Sequence, residues 1–224
     1  MKKNYGPRHL VTASVACLLV ISAAARSEDM VRYRAKPVGS SVHIDGTSNV
    51  HDWKVEGTII GGYLEVPAGM VLDSSQAALA GAPDGTLKAK VQVQIPIAAL
   101  NNVNKYEGMG NAMHDAMHAT DFPSIKYQAT EMTLKQPHTA GTPFQFDTKG
   151  ELSIDGVTNA IAMPVSIETI DKGKLKVTAS GIPVKMTDFK IKPPTKMGLF
   201  VTDPDVKISF EWVVGLPAKA AEAK

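Results

Sequence analysis

His114 and His118 stand four residues apart, the interval at which two imidazoles on one helix face can share a metal ion. The stretch around them supplies no third Cys or His ligand, Asp115 points elsewhere around the wheel, and His51-Asp52 is far away in sequence. Two polar residues beside a methionine stripe also read as an ordinary solvated helix face. Nucleophilic catalysis finds no support. There is no G-x-S-x-G elbow, and the single cysteine, Cys17, falls in an apolar leader. Neither a G-x-G-x-x-G fingerprint nor a P-loop opens a strand-to-helix turn, so nucleotide binding is unsupported too. The expectation is a protein that is not an enzyme and uses no cofactor, with a metal-dependent enzyme built on the His pair as the remote rival.

The leader accounts for the first 25 residues. Lys2, Lys3 and Arg8 precede an apolar run from Leu10 to Ile21, and Ala23-Ala24-Ala25 reads as a small-residue cleavage site. That run is shorter than the roughly 20 apolar residues a membrane-spanning helix needs. The organisation expected is therefore a signal peptide over 1–25, one domain over 26–217 and a frayed tail over 218–224, with a periplasmic or secreted location. A lipoprotein reading of Ser14-Val15-Ala16-Cys17 fits poorly, because Ser stands where a bulky aliphatic is expected. Cleavage removes three of the 24 Lys and Arg residues, so 21 basic side chains face 22 acidic ones. No basic stripe of the kind that grips nucleic acid remains.

The elements that must position any site alternate with period two. Val42 and Ile44 alternate with His43 and Asp45, and Leu87, Ala89, Val91, Val93 and Ile95 alternate with lysines and glutamines. Further runs of this kind cover 125–130, 144–147, 161–167, 175–179 and 206–214. One oily and one wet face per strand predicts antiparallel pairing. The long segments His51–Val66 and Val157–Ile170 exceed the usual strand length, and Gly57, Gly61 and Gly62 break the first, which suits a sheet coiling on itself. Loops are expected at Pro67–Gly85, Pro137–Pro143 and Pro193–Pro204, with tight turns at Asp155-Gly156 and Asp171-Lys172-Gly173. Between Asn101-Asn102 and Asp121-Phe122-Pro123 the spacing of Tyr106, Met109, Met113 and Met117 becomes helical. The fold class read from this is all-β: an antiparallel barrel of eight or nine strands crossed by one short helix.

Such a barrel either fills with side chains or holds one small ligand. The candidate lining is Trp53, Val55, Tyr63, Tyr127, Phe144, Phe146, Phe210 and Trp212, with Met109, Met113 and Met117 from the helix. Methionine suits a surface that repacks around different hydrophobes.

Four segments then carry a resemblance: Ser48–Trp53 with Val55-Glu56-Gly57, Met113–Met117 leading to Asp121-Phe122-Pro123-Ser124-Ile125, Gly150–Thr158, and Thr187-Asp188-Phe189. Together they resemble the YceI-like family of exported bacterial proteins. The resemblance implies a lipocalin-like barrel whose tunnel holds a polyisoprenoid or similar amphiphilic lipid, such as a quinone tail, often in a homodimer and without catalysis. It adds Phe122 and Phe189 to the candidate ligand-binding residues. One departure stands out: the family commonly has Gly after the Asp-Phe pair, whereas this chain has Lys190, followed by Pro193-Pro194. Selectivity would come from polar groups at the mouth, with Lys190, Lys192, His114 and His118 as candidates. Each buried isoprene unit offers roughly 4 kcal/mol gross against an association cost of about 4 to 15 kcal/mol, so three or four units suffice. The rival reading is a filled barrel serving as an extracytoplasmic protein-interaction module.

Overall fold

The computed structural model describes Met1 and residues 29–217, apart from 71, 77, 80–81, 83–84, 104–108, 136 and 197–198. The leader, Cys17, Tyr106 and the 218–224 tail lie outside the described residues.

Period-two alternation becomes strand almost wherever it is read; the run from Leu87 is the exception, since its strand starts only at Lys90 and Leu87 and Ala89 belong to the preceding loop. The strands run as a meander in which the first three staves are each broken in two. They are β1 (Met30–Ala35) with β2 (Ser41–Ser48), β3 (Trp53–Gly57) with β4 (Gly61–Pro67), and β5 (Lys90–Pro96) with β6 (Asn101–Asn102). Then come β7 (Ser124–Leu134), β8 (Phe144–Ile154), β9 (Val157–Asp171), β10 (Lys174–Lys185), the short β11 (Thr195–Lys196) and β12 (Phe200–Gly215). The clearest alternation is that of β8: Phe144, Phe146, Thr148, Gly150, Leu152 and Ile154 point in, and Gln145, Asp147, Lys149 and Glu151 point out. Each stave pairs antiparallel with the next, and β12 closes the circle by pairing with β10 on one side and with β2 and then β1 on the other. The result is a closed eight-stave barrel, as the sequence led us to expect.

The glycine bend falls where the sequence put it. Gly62 sits at φ +122°, and a Cβ there would run into the Gln92 carbonyl oxygen of β5, so only glycine lets β4 start flush against its neighbour. Two expectations change. The loop expected over Pro193–Pro204 contains β11 and the start of β12; Pro204 is tolerated because the pairing of β12 with β2 skips from Thr202 to Val206, leaving the donorless residue in a bulge. Asn101-Asn102 do not cap the helix but form β6 against Val55 and Glu56, and among the described residues the helix, α1, covers Met109–Ala116.

The two barrel ends are closed differently. At one, the β4–β5 loop folds over the opening and buries Met70, Leu72, Leu79, Ala82 and Leu87. It is tied to β9 by the Thr169 hydroxyl, which donates to the Leu72 carbonyl at 2.6 Å, and to β7 through the Leu87 amide and the Met132 carbonyl at 2.8 Å. His138 stacks on Phe144 at the same end, 4.1 Å between ring centroids. At the other end lie α1, the β2–β3 and β8–β9 turns, and a helical turn at Met186–Phe189.

Candidate functional site

Inward residues of the staves surround a cavity of about 90 Å³, counted as space open to the centre of a water molecule. At about 10–15 Å³ per water on that measure, and about 30 Å³ of liquid each, it is room for roughly six to nine waters, or about 180–270 Å³ of liquid. Of its 23 lining residues, only Tyr127, Thr148 and Trp212 carry a side-chain N or O. The rest are aliphatic, methionine or phenylalanine, because every second residue of each stave must face either this space or water.

The three polar groups differ in how they are satisfied. Thr148 is 3% exposed, and its hydroxyl donates to the Met163 carbonyl across the β8–β9 ladder at 2.8 Å. The Tyr127 hydroxyl reaches Thr148 Oγ1 at 3.5 Å. Its ring lies over Gly150, where a Cβ would come within 2.6 Å of the ring carbons, so the glycine is what allows the ring to lie flat along the wall. Burial pushes the Tyr127 phenol above the usual tyrosine value, because the phenolate would lose its water; the Thr148 bond acts the other way, less strongly. Trp212 is 2% exposed, and its Nε1–H meets no partner among the described residues.

The candidate residues named from sequence do not all converge here. Tyr127, Phe210 and Trp212 line the cavity. Val55, Phe144, Phe146, Phe189 and Met117 are buried in the surrounding core, and Met113 packs against it half-buried. Met109 opens α1, with its side chain beyond what is described. Tyr63 stands on the outer wall, because β4 turns Leu64 and Val66 inward and leaves Tyr63 under the Arg32 guanidinium at 4.1 Å. Trp53 is half-buried over Gly46, its Nε1–H donating to the Thr47 carbonyl at 3.1 Å. Phe122 is 42% exposed, its ring over Gly156. The lining that sequence reasoning passed over is β-branched, for example Val91 and Val93 of β5 and Ile161 and Val165 of β9. Its signal was the alternation itself, which already divided each run into two faces; choosing aromatic residues by size discarded it.

The His pair does not make a metal site. His114 Nε2 pairs with the Leu100 carbonyl at 3.2 Å, whereas His118 lies beyond the end of α1 at φ +42° and its Nδ1 pairs with both Asp155 oxygens at 2.9 and 3.0 Å. The helix stops too early to put both rings on one face. No cluster of three or more His, Cys, Asp or Glu suited to a metal occurs among the described residues. Lys190, where the resemblance led us to expect glycine, adopts φ +61°, the left-handed region that glycine occupies without penalty.

Comparison with known proteins gives three findings. The profile of the YceI-like domain matches residues 33–214. Among solved structures, the chain is similar to a polyisoprenoid binding domain from Saccharophagus degradans implicated in plant cell wall breakdown, at 13% identity and TM-score 0.59, covering 84% of this chain and 99% of that one. It is also similar to BcnA of Burkholderia cenocepacia, at 15% identity and TM-score 0.56, covering 79% of this chain and 98% of that one. At these identities the likeness is one of fold. No curated protein sequence matches the chain.

Proposed function

Since the chain belongs to the YceI-like domain family, we propose that it is an exported, non-catalytic carrier that holds an isoprenoid-like lipid in the lumen of its barrel. The observation that carries this reading is the closed wall around an almost wholly apolar cavity. Such a lumen gives an oily chain a water-free site and binds it through area rather than through directional contacts. The fold it shares with a polyisoprenoid binding domain adds support.

Size bears on mechanism. The capacity of about 180–270 Å³ falls just under the roughly 300–1,000 Å³ usual for small-molecule pockets. A short prenyl chain enters with side-chain adjustment, for which Met132 and Met163 in the wall are suited. A longer one requires an end to open. The helix end is the one we assign to entry, with α1 and the segment after it as a partial lid.

Protein purified without detergent from its native host, extracted into organic solvent and examined by mass spectrometry, is expected to release an isoprenoid lipid near one per chain. A lipid-free extract from a protein that also takes up no prenyl probe overturns the reading. A second reading, the protein-interaction module, is favoured by Val50, Leu199 and Val201, exposed where Asn49 ties the β2–β3 turn to the β11–β12 turn. That lipid-free outcome would leave it standing.

A further inference from the structure

We infer that Trp212 is the residue that selects the ligand's chemistry, by donating a hydrogen bond from its indole N–H to an acceptor oxygen carried by the lipid inside the barrel. The inference rests on the proposed lipid-binding function and narrows it: the cargo is an oxygenated lipid whose carbonyl, ester or ether oxygen is buried with it, not a plain hydrocarbon.

The lumen makes this donor exceptional. A buried N–H is nearly always paired, since leaving it bare forfeits its bonds to water. Trp212 is 2% exposed and lines the cavity, yet its Nε1 has no partner among the described residues. Nearby polar groups are committed elsewhere. The Ser40 hydroxyl, beside β12 at the β1–β2 break, accepts the Val213 amide at 3.0 Å, and the Val213 carbonyl accepts the Lys36 amide at 2.9 Å. Across the ladder Trp212 faces Val177, and the next stave presents Ile167 at the same level, so no side-chain acceptor stands opposite. The other tryptophan is the internal contrast, because Trp53 Nε1 already donates to the Thr47 carbonyl. Of the remaining polar lining groups, Thr148 spends its proton on Met163 and Tyr127 turns toward Thr148. Trp212 is thus, among the described residues that line the cavity, the one whose buried donor is left without a partner.

Its level in the barrel gives the ligand a direction. Trp212 shares a level with Val177, Ile167 and Phe144, near the end plugged by the β4–β5 loop. A lipid entering past α1 therefore leads with its oxygenated end.

The test compares a prenyl ketone, farnesylacetone, with an isoprenoid hydrocarbon of the same carbon count, each binding to the wild type and to Trp212→Phe. The variant keeps an aromatic ring and removes the donor, and is expected to lose roughly tenfold more affinity for the ketone than for the hydrocarbon. In ¹H–¹⁵N spectra of the wild type, the ketone should shift the Trp212 indole resonance and leave that of Trp53 in place, which serves even where the variant folds poorly. Equal loss for both probes, or an unmoved Trp212 resonance with ketone bound, overturns the inference while the carrier function stands. Failure of the ketone alone to bind the wild type overturns the inference, and failure of both probes overturns the carrier function with it.

Discussion

The two ends of the barrel are closed by opposite means. At the loop end, a long connection buries five apolar side chains, and the turns that need a left-handed residue have glycine: Gly85, Gly141 and Gly173. At the helix end, Leu100, Met117, Phe189 and Ile191 are buried and Phe122 is exposed, and beside Gly156 at φ +72° the non-glycine residues His118, Asp155 and Lys190 hold φ of +42°, +50° and +61°. These are the three non-glycine residues at positive φ among those described. His118 and Lys190 cost about 1–2 kcal/mol each relative to an ordinary backbone conformation, and Asp155, paired with Gly156 in a two-residue hairpin turn that favours Asp-Gly, costs less. Strain of this kind persists where neighbours hold it, and it gathers where a structure has to move. One end is built for permanence and the other sits closer to opening.

The sharpest way to break this contrast is to remove one apolar side chain from each end. Leu72→Ala, within the loop plug, should cost about 2–5 kcal/mol through lost burial and a residual cavity. Phe122→Ala should cost about 1 kcal/mol, since a ring that remains partly in water gives up little. Urea unfolding of both variants decides, and equal losses would erase the distinction. Next in size is His118→Ala, which frees the nearly buried Asp155 carboxylate and should lower stability by about 1 kcal/mol. The same change should speed release of a bound prenyl probe several-fold by stopped-flow fluorescence, while loosening the loop end leaves that rate unchanged.

Lys190→Gly should act in the other direction. Relief of the left-handed strain outweighs the extra freedom of the unfolded chain, for a net gain of about 0.5–1 kcal/mol in thermal unfolding. The smallest effect is acid loosening of the loop end. Ser75 hydrogen bonds hold the Asp73 carboxyl below its ordinary 3.8, and the Lys172 amide with Lys174 does the same for Asp171. A depressed carboxyl stabilises the fold fully above its unfolded value and ceases to do so as pH falls through the folded one. Amide protection around residues 73–76 and 171–174, corrected for the intrinsic pH dependence of exchange, should therefore fall below about pH 4, with residues 117–122 as the internal reference.

Most of the wall was legible in the sequence, because alternation is a local consequence of the pleat and survives without knowledge of partners. The breaks in the first three staves were legible only in part. Gly62 betrayed its bend by residue type, but Asn101-Asn102 read as a helix cap, and pairing with β3 makes them strand instead. The candidate site was less legible for a similar reason. Which aromatic faces the lumen depends on register at each break, so Tyr63 and Tyr127, alike in composition, end on opposite sides of the wall. The unpaired Trp212 N–H was beyond the reach of sequence, since an absent partner is visible only once every neighbour is placed.

The seam between β1 and β12 sets Ala35 beside Val214. No ring can form until nearly the whole polypeptide is available, and the stitch that completes it joins the most distant parts of the chain, the kind of pairing that folds slowly. Until then β1 and β12 expose raw edges inviting other strands. A newly made copy is at its most adhesive in the interval before that final stitch, and once it is sewn the molecule offers no free selvage at all along this join.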